Sequence, residues 1–279
     1  MGEGKKLFSK SFFPSTKPHT LLQKHLNCSI TLEQWKMDSE VYLSIVIPVF
    51  NEEDNLEPLV KEIESVLEKV GRKFEIIFID DKSTDRSFEV LKELKKTRLF
   101  IRVIPHLINS GESAAEATGF ANANGEVIIT MDADQQNDPA DIPSLLDALK
   151  DDVAAVCGVR RRRRDTIVKR ISSRTANSFR NFMTGDRIVD AGCTYRAIRR
   201  SALWQMQVFN GMHRFLPTLL RFQGYKVIEI LVNDRPRTRG KSKYGIGNRM
   251  WRGIVDCFAM RWMKKRALRG DRVGTEYAS

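Results

Sequence analysis

From Leu43 onward, short apolar runs alternate with longer segments in which apolar residues recur every three or four positions. Short runs rich in β-branched residues are typical of buried strands, and the longer spacing is typical of helices with one apolar face. The predicted strands are Leu43–Val49, Phe74–Ile79, Phe100–Pro105 and Val127–Met131. Because strands and helices alternate, the pattern predicts βαβ units and a mainly parallel central sheet in a three-layer α/β fold.

Polar residues and glycines mark the ends of the predicted helices. Asn51 is placed to cap the helix after the first strand, Gly71 to end it, and Gly111 to open the third helix. Residues 1–40 have no sustained periodicity, which predicts a poorly ordered extension. The regular pattern then spans a single domain over residues 41–246.

Composition limits the classes of partner. At 279 residues the chain has room for one sizeable domain. A net charge of +12, from 47 Lys and Arg against 35 Asp and Glu, favours a partner that carries phosphates: nucleic acid, a nucleotide or an anionic membrane surface. The four scattered cysteines argue against a zinc site or disulfide framework and for a reducing compartment. No apolar run reaches the ~18 residues of a transmembrane helix, and the amino terminus lacks a secretory signal.

The stretch EVIITMDADQQNDP, residues 126–139, contains the clearest candidate chemistry. Its apolar run stops at Asp132, and Asp134 and Gln136 follow at alternate positions. In an extended chain alternate side chains point the same way, so three oxygen donors would share one side. Such donors suit a hard cation such as Mg²⁺ or Mn²⁺, and the alternative is a solvated acidic turn. Asp138–Pro139 then offers a cap and first turn for the next helix.

Three other predicted elements also end in polar residues, at Pro48–Glu52, Asp80–Asp81 and Asn109–Gly111. In parallel sheets, ligands bind beyond the carboxyl ends of the strands. No strand is followed by GxGxxG, and Gly240-Lys-Ser242 lacks the first glycine of a phosphate-binding loop. These ends predict a nucleotide-sugar, with a metal on its diphosphate and its nucleoside on Asp80 or Asp81. The alternative for both aspartates is a turn cap.

The motifs IVIPVFNEEDN, FIDDKSTD, NSGESAAEATGF and MDADQQNDP together resemble the inverting GT-A glycosyltransferases of family 2. In the second half of the chain, DAGCTYRAIRR, GMHRFLPTLL and RPRTRGKSKYG resemble the dolichol-phosphate mannose synthase and polyprenyl-phosphate glycosyltransferase group. The likeness runs from about Leu43 to Lys265. Two departures are Lys82, where the family usually has Gly, and Glu112, where it usually has Gln or Lys.

The resemblance implies a GT-A Rossmann-like fold, with residues 41–246 as the catalytic domain. It implies inverting transfer of a sugar from GDP-mannose or a UDP-sugar to a polyprenyl or dolichyl phosphate, with Mg²⁺ or Mn²⁺. The implied metal ligands are Asp132, Asp134 and Gln136, and the predicted catalytic residues are Asp134, Asp190 and Arg237. Together with the polar strand ends and basic segments, the predicted substrate-binding residues are Pro48, Asn51, Glu52, Asp80, Asp81, Gly111, Asp132, Arg160, His213, Arg214, Arg237, Ser242 and Lys243.

Two basic stretches, Arg160–Arg164 and Arg235–Lys243, would guide two anionic reactants together, since arginine forms forked contacts with phosphate. The alternatives are a solvated charge run for the first stretch, a turn carboxylate for Asp190, and a polar rim residue for His213. An alternative function is a family 2 enzyme that glycosylates a soluble or polysaccharide hydroxyl. A non-enzymatic nucleic-acid-binding protein is a remote alternative, because the strand ends are acidic and no RNA- or DNA-binding signature is present.

The segment 247–279 predicts a basic helix followed by a tail. Between Gly247 and Arg266, apolar residues recur at spacings of three and four: Trp251, Ile254, Val255, Phe258 and Trp262. Tryptophans on a basic helix are typical of an element that lies in the membrane interface. The sequence therefore predicts a peripheral protein on the cytoplasmic face of an anionic membrane, neither secreted nor membrane-spanning. The alternative is that the apolar stripe packs on the catalytic domain or a second subunit.

Overall fold

The computed structural model describes residues 41–161, 167–204, 206–236 and 247–266, without the side chains of 167–174 and 247–252. The strands are β1 (Leu43–Val49), β2 (Phe74–Asp80), β3 (Ile101–Pro105), β4 (Val127–Thr130), β5 (Ala155–Arg160), β6 (Arg196–Arg199) and β7 (Val227–Val232). The α-helices are α1 (Glu53–Val70), α2 (Ser87–Thr97), α3 (Glu112–Asn122), α4 (Ile142–Ala148), α5 (Ile167–Thr184), α6 (Leu216–Phe222) and α7 (Gly247–Arg266). Short 3₁₀ turns cover Pro139–Asp141, Arg200–Leu203 and Met212–Arg214.

The strands form one seven-stranded sheet in the order β3-β2-β1-β4-β6-β5-β7. All neighbours pair in parallel except β6, which is antiparallel to both β4 and β5. The predicted βαβ units and mainly parallel sheet are thus confirmed. The carboxyl ends of β1, β2, β4 and β5 lie along one edge of the sheet, so their polar end residues are brought to the same side of the molecule.

Both faces of the sheet are buried, which explains the near-continuous apolar runs. Along β1, Ile45 and Ile47 belong to a core beneath α1, α2 and α4, whereas Val46 belongs to a second core beneath α3, α6 and α7. Successive side chains of a strand point to opposite faces, so each strand contributes to both cores. The two cores hold the sheet between two layers of helices and fix the positions of its strand ends.

The capping prediction for Asn51 is wrong. Asn51 has a positive φ of 56°, and its Oδ1 accepts hydrogen bonds from Thr84 N (2.7 Å) and Thr84 Oγ1 (3.3 Å). Glu52 occupies the N-cap position of α1 without a side-chain capping bond. Asparagine tolerates the left-handed region, so the chain uses Asn51 to tie two loops together rather than to start a helix. Gly71 ends α1 as predicted, with φ of 67°.

The acidic stretch after β4 is a turn, not an extended chain. Strand β4 ends at Thr130, and Gln135 has a positive φ of 62°. The prediction that Asp132, Asp134 and Gln136 alternate along an extended segment is therefore wrong, because the backbone reverses within it. Asp138 does cap the following turn, since its Oδ1 accepts a hydrogen bond from Ala140 N at 3.0 Å.

The helix predicted near the carboxyl terminus is present as α7 and contacts α5. Among the described residues no helix combines the length and apolar character needed to cross a bilayer. The predicted extension at residues 1–40 lies outside the described residues.

Candidate functional site

Asp80, at the end of β2, provides a buried acceptor at the candidate site. The side chain is 4% exposed, and its Oδ2 accepts a hydrogen bond from Ser83 N at 3.3 Å. Its Oδ1 is buried and has no hydrogen-bond partner among the described residues. A buried carboxylate oxygen without a partner is costly unless a ligand supplies the donor. Pro48, at the same edge on β1, is partly buried.

Lys82, where the resemblance leads one to expect glycine, has a positive φ of 62°, a conformation that glycine adopts without a steric cost. A side chain in this region costs about 1 kcal/mol of strain. Nearby, Glu52 accepts a hydrogen bond from Asn55 Nδ2 at 2.7 Å, and its own backbone N–H donates to Ser87 Oγ. These contacts hold the loop after β1 against the loop after β2.

Asp81 braces the loop between β3 and α3. Its Oδ1 contacts His106 Nδ1 at 2.8 Å and accepts from Ser110 N at 2.8 Å, and its Oδ2 accepts from Gly111 N at 2.7 Å. Burial raises the pKa of Asp81, but these hydrogen bonds outweigh burial and leave its pKa below the ordinary value. Both carboxylate oxygens are used within the protein, which favours the turn-cap alternative for Asp81.

We expect Asp81→Asn to destabilise the protein by about 2 kcal/mol, because the amide nitrogen replaces an acceptor of a buried N–H. For a domain of this size that lowers the melting temperature by roughly 4–8 °C. The lowered pKa of Asp81 sets the direction of the pH dependence. The ionised carboxylate stabilises the fold above the unfolded pKa of about 3.9, and that stabilisation is lost as the pH falls through the lower pKa of the folded state. The melting-temperature gap between wild type and variant should therefore narrow from pH 7 to pH 3.

The control for that experiment is Asp151→Asn, because the Asp151 side chain is fully exposed. Its melting temperature should stay close to wild type at both pH values. An Asp81→Asn protein as stable as this control at pH 7 would contradict the bracing role.

The acidic turn after β4 is held from several directions. Asp132 accepts a hydrogen bond from Thr194 Oγ1 at 2.8 Å, and its backbone N–H donates to Asn137 Oδ1 at 2.8 Å. Asp134 is only 6% exposed, and its Oδ1 accepts from Gln136 N at 3.1 Å. Burial, followed by the neighbouring carboxylates of Glu112 and Asp134, raises the pKa of Asp132 to about 7. Negative charge is thus concentrated at this turn.

This donor set suits a divalent cation. The carboxylates of Glu112 and Asp134 disfavour the ionised form of Asp132, and a cation bound at Asp132 would offset that repulsion. The Gln136 amide nitrogen contacts Arg235 O at 3.4 Å, so Oε1 is the atom that would be able to bind a metal. Among the described residues no group of three or more His, Cys, Asp and Glu side chains is placed to bind a metal. A metal here would therefore need the amide oxygen or substrate oxygens to complete its coordination.

The segment after β7 is docked on the acidic turn. Asn137 forms a bridge with Asp234, and Arg235 N donates to Gln136 O at 2.9 Å. The Arg235 guanidinium also contacts Asp138 Oδ1 at 2.6 Å. The chain therefore leaves β7 in contact with the acidic turn. Three predicted site residues that follow, Arg237, Ser242 and Lys243, lie outside the described residues.

Arg160 and Asp190 form a forked ion pair at the end of β5. Arg160 Nε donates to Asp190 Oδ2 at 2.8 Å and Nη2 donates to Oδ1 at 2.9 Å. The Asp190 side chain is buried and that of Arg160 is 22% exposed. Asp190 is thus neither a free general base nor an isolated turn carboxylate. It orients Arg160, whose remaining N–H groups stay able to bind an anion. The rest of the basic run, Arg162–Arg164, lies outside the described residues.

His213 lies against the amino-terminal end of α3, beside the acidic turn. Its Nδ1 is 2.6 Å from Ser113 Oγ, and its Nε2 is 3.5 Å from Glu112 Oε2. Gly111, which precedes α3, has φ of 85° and is held by Asp81 as described above. Arg214 points elsewhere, toward Asp256 on α7 at 3.3 Å. The predicted pair His213 and Arg214 is therefore split between two contacts.

Sequence reasoning missed four residues that contact the predicted site residues. Thr194 contacts Asp132, Ser113 contacts His213, and Arg196 is fully buried and donates to the carbonyl oxygens of Cys193 and His213. The fourth is Asp256. It is the single acidic residue in the otherwise basic sequence of α7, which was a usable signal. Thr194 and Ser113 contact residues 62 and 100 positions away, and nothing in the local pattern marked them or the buried Arg196.

The chain is similar to known transferases. Residues 44–207 match the family model Glycosyl transferase family 2. The undecaprenyl-phosphate 4-deoxy-4-formamido-L-arabinose transferase of Edwardsiella ictaluri is 37% identical over 207 residues, 74% of this chain and 63% of that protein. The chain thus spans slightly less than two thirds of that relative. The dodecaprenyl-phosphate galacturonate synthase of Rhizobium johnstonii is 34% identical over 239 residues, covering 84% of this chain and 70% of that protein.

Solved structures agree in fold. Glucosyl-3-phosphoglycerate synthase from Mycobacterium tuberculosis, in complex with Mn²⁺, UDP and phosphoglyceric acid, gives a TM-score of 0.61 at 18% identity, over 79% of this chain and 78% of that one. A mannosyltransferase from Pyrobaculum calidifontis, in complex with GDP-Man and Mn²⁺, gives 0.55 at 16% identity, over 89% and 72%. At these identities the likeness shows the fold, which is the expected GT-A fold. The sheet, the family match and the two related transferases together show that this chain belongs to glycosyltransferase family 2.

Proposed function

We propose that this protein transfers a sugar from a nucleotide-sugar to a polyprenyl phosphate, with inversion at the anomeric carbon. The observation that carries the proposal is the arrangement of groups along one edge of the sheet. A buried carboxylate oxygen of Asp80 without a partner among the described residues, an acidic turn at Asp132 and Asp134, and a cation at Arg160 follow one another across β2, β4 and β5. The order matches the chemistry of a nucleoside, its diphosphate and an anionic acceptor.

The donor would lie across the first two of these groups. Asp80 Oδ1 would accept a hydrogen bond from the base or ribose, since it is buried without a partner among the described residues. Asp132, Asp134 and Gln136 would hold Mg²⁺ or Mn²⁺ against the diphosphate. The metal would neutralise negative charge as the nucleotide leaves. The tight contacts of Asp132 with Thr194 and Asn137 keep the turn in place before the donor arrives.

The acceptor would approach Arg160. A lipid phosphate is already ionised near neutral pH, so it needs orientation and charge compensation rather than a strong base. The forked pair with Asp190 fixes the guanidinium for that purpose. Asp190 is therefore proposed as a positioning residue. Arg237, Ser242 and Lys243 are proposed as further phosphate contacts, which is supported by the docking of Arg235 on the acidic turn.

The names of the two relatives support the acceptor class, because both are polyprenyl-phosphate transferases. They differ in the sugar, formamido-arabinose in one and galacturonate in the other. The finer expectation of a dolichyl-phosphate mannosyltransferase-like specificity therefore stays a prediction. So do the choice of UDP or GDP and the choice of Mg²⁺ or Mn²⁺.

A direct assay tests the proposal. The full chain is incubated with Mn²⁺ or Mg²⁺, each of a panel of UDP- and GDP-sugars, and undecaprenyl phosphate in detergent, and lipid products are detected by mass spectrometry. A glycosylated lipid phosphate whose anomeric configuration by NMR is opposite to that of the donor is the expected result. Undecaprenol, which has the same lipid chain but presents a free hydroxyl in place of the phosphate, is the control acceptor. Product from undecaprenol but not from undecaprenyl phosphate would overturn the acceptor assignment.

We also propose that α7 attaches the protein to an anionic membrane surface. Cys257 and Met260 are buried against the domain, whereas Val255, Phe258 and Trp262 are 49%, 58% and 62% exposed. The exposed stripe thus lies on a different face of α7 from the one that packs. Exposed cationic side chains accompany it, namely Arg261, Lys265 and Arg266. Each cation near an anionic leaflet contributes about 1 kcal/mol, which complements partial burial of the apolar stripe.

We expect the double variant Phe258→Asp, Trp262→Asp to pellet with phosphatidylserine-containing vesicles about tenfold less than wild type, because two apolar contacts are lost and two anionic charges added. Leu99→Asp is the matched control, because Leu99 is 96% exposed but precedes the amino end of β3, away from the site. It should pellet like wild type. Equal pelleting of the double variant and wild type would rule out α7 as the membrane contact.

A further inference from the structure

The segment Gly211–Arg214 connects α7 to the candidate site. It follows β6 and leads into α6, and it carries two side chains in two directions. His213 lies against the start of α3, next to the acidic turn, and Arg214 lies against α7. The position of one backbone segment therefore sets both contacts.

On the site side, His213 is held in one orientation. Ser113 Oγ accepts a hydrogen bond from Gly211 N at 2.9 Å and lies 2.6 Å from His213 Nδ1. The other ring nitrogen, Nε2, is 3.5 Å from Glu112 Oε2. The backbone is fixed as well, since Arg196 Nη2 donates to His213 O at 2.9 Å. His213 is thus held at one ring nitrogen by Ser113 and faces Glu112 with the other.

On the other side of the segment, Arg214 forms an ion pair with Asp256 of α7. Its Nη2 is 3.3 Å from Asp256 Oδ2. Gly211 has φ of 106°, and a Cβ there would lie 2.9 Å from both Arg214 Nη2 and Asp256 Oδ2. Gly253 lies on the same side, since a Cβ there would be 3.7 Å from Arg214 Nη1. Glycine at 211 leaves room for the guanidinium and carboxylate to meet directly over the backbone that leads to His213.

We propose that Asp256 is a positioning residue for the transfer reaction, acting through Arg214 to hold the His213 imidazole beside Glu112 and the acidic turn. The proposal rests on the proposed function for the identity of the reaction. Asp256 lies beyond residue 207, where the family match ends, and on the helix that carries the exposed apolar stripe. One ion pair therefore joins the proposed membrane-facing helix to the backbone segment that carries His213.

The ring signals of His213 give a test that does not depend on activity. The chain has four histidines, so the ¹H–¹³C imidazole spectrum is simple, and His213→Ala identifies the signal of interest by its loss. Asp256→Asn should shift the His213 signal and leave that of His106 unchanged. The matched control is Lys264→Met. Lys264 also anchors α7, by donating to Thr184 O at 2.9 Å, but has no contact with the segment Gly211–Arg214 among the described residues. It should leave both signals in place.

Kinetics give the second readout. Asp256→Asn should lower kcat/KM about tenfold, while Lys264→Met stays within about twofold of wild type. In a His213→Ala background, Asp256→Asn should cause no further loss, because its effect is transmitted through the missing ring. If Asp256→Asn does not fold, Arg214→Lys serves in its place, since it keeps the charge and loses the forked group.

The outcomes separate the two proposals. An unshifted His213 signal, or a loss of the same size in wild-type and His213→Ala backgrounds, would overturn the role of Asp256. If Asp256→Asn shifts the His213 signal but the wild-type protein glycosylates no polyprenyl phosphate, the proposed function would be overturned. The coupling of Asp256 to His213 would still stand.

Discussion

Asp134→Asn is expected to lower the transfer rate by ~100-fold or more while leaving the fold intact, because the metal that we propose on the diphosphate would contribute several kcal/mol to the transition state. The substitution is nearly isosteric. The introduced amide oxygen can still accept the hydrogen bond from Gln136 N, which Asp134 Oδ1 accepts at 3.1 Å. What is lost is one negative charge at a buried position that is 6% exposed. A loss of rate without a loss of stability would therefore report on the charge itself.

Two measurements separate metal binding from other causes. In thermal unfolding with Mn²⁺ and UDP, wild type should be stabilised, because ligands that bind only the native state raise its stability, and Asp134→Asn should be stabilised much less. Asp147→Asn, on an exposed position of α4, should behave like wild type in both assays. Full activity of Asp134→Asn in EDTA would remove the metal from the mechanism.

The first half of the fold was predictable because its signals are local. β1, β2, β3 and β4 are buried on both faces, so they appear as continuous apolar runs, and α1 carries its buried residues at helical spacing. The antiparallel strand β6 was not predicted. It has four residues, two of them arginines, and Arg196 is fully buried with its side chain donating to backbone carbonyls. Burial of a charged side chain depends on partners that a local pattern does not contain.

The site was predictable as a set of strand ends, but not in its internal contacts. The acidic residues after β2 and β4 were recognised, and the structure places them at one edge of the sheet. The different contacts of Asp80 and Asp81 could not be predicted from the sequence. One carboxylate oxygen of Asp80 has no hydrogen-bond partner among the described residues. In Asp81, its neighbour in sequence, both oxygens contact His106 or accept from two backbone N–H groups. That difference comes from the loop between β3 and α3, which folds back onto only one of them.

Long-range pairing also changed the interpretation of Asp190. As an isolated carboxylate near the reacting centre it fits a catalytic role. The structure pairs it with Arg160, which lies 30 positions earlier in the chain. Both oxygens of Asp190 accept hydrogen bonds from that guanidinium, an arrangement that fixes the orientation of Arg160. The pair is therefore better described as one oriented cation than as a base and a separate phosphate ligand.

The corresponding prediction is that Arg160→Met lowers kcat/KM for the polyprenyl-phosphate acceptor by about 100-fold, in line with loss of a charge-assisted contact to phosphate. The KM for the nucleotide-sugar should change little, since the donor is proposed to lie over β2 and β4. Asp190→Asn should lower the same acceptor parameter by about tenfold, because the amide can accept only one of the two guanidinium hydrogen bonds, at 2.8 and 2.9 Å in wild type, and leaves Arg160 less well oriented.

The double variant decides between orientation and base catalysis. If Asp190 acts by orienting Arg160, adding Asp190→Asn to Arg160→Met should cost almost nothing, because the group it orients is already absent. If Asp190 accepts a proton in the reaction, the two losses should multiply, and Asp190→Asn should also lower kcat at saturating acceptor. Initial rates over a grid of donor and acceptor concentrations measure all three proteins against wild type. Multiplicative losses in that grid would return Asp190 to a catalytic role and leave Arg160 as an independent phosphate ligand.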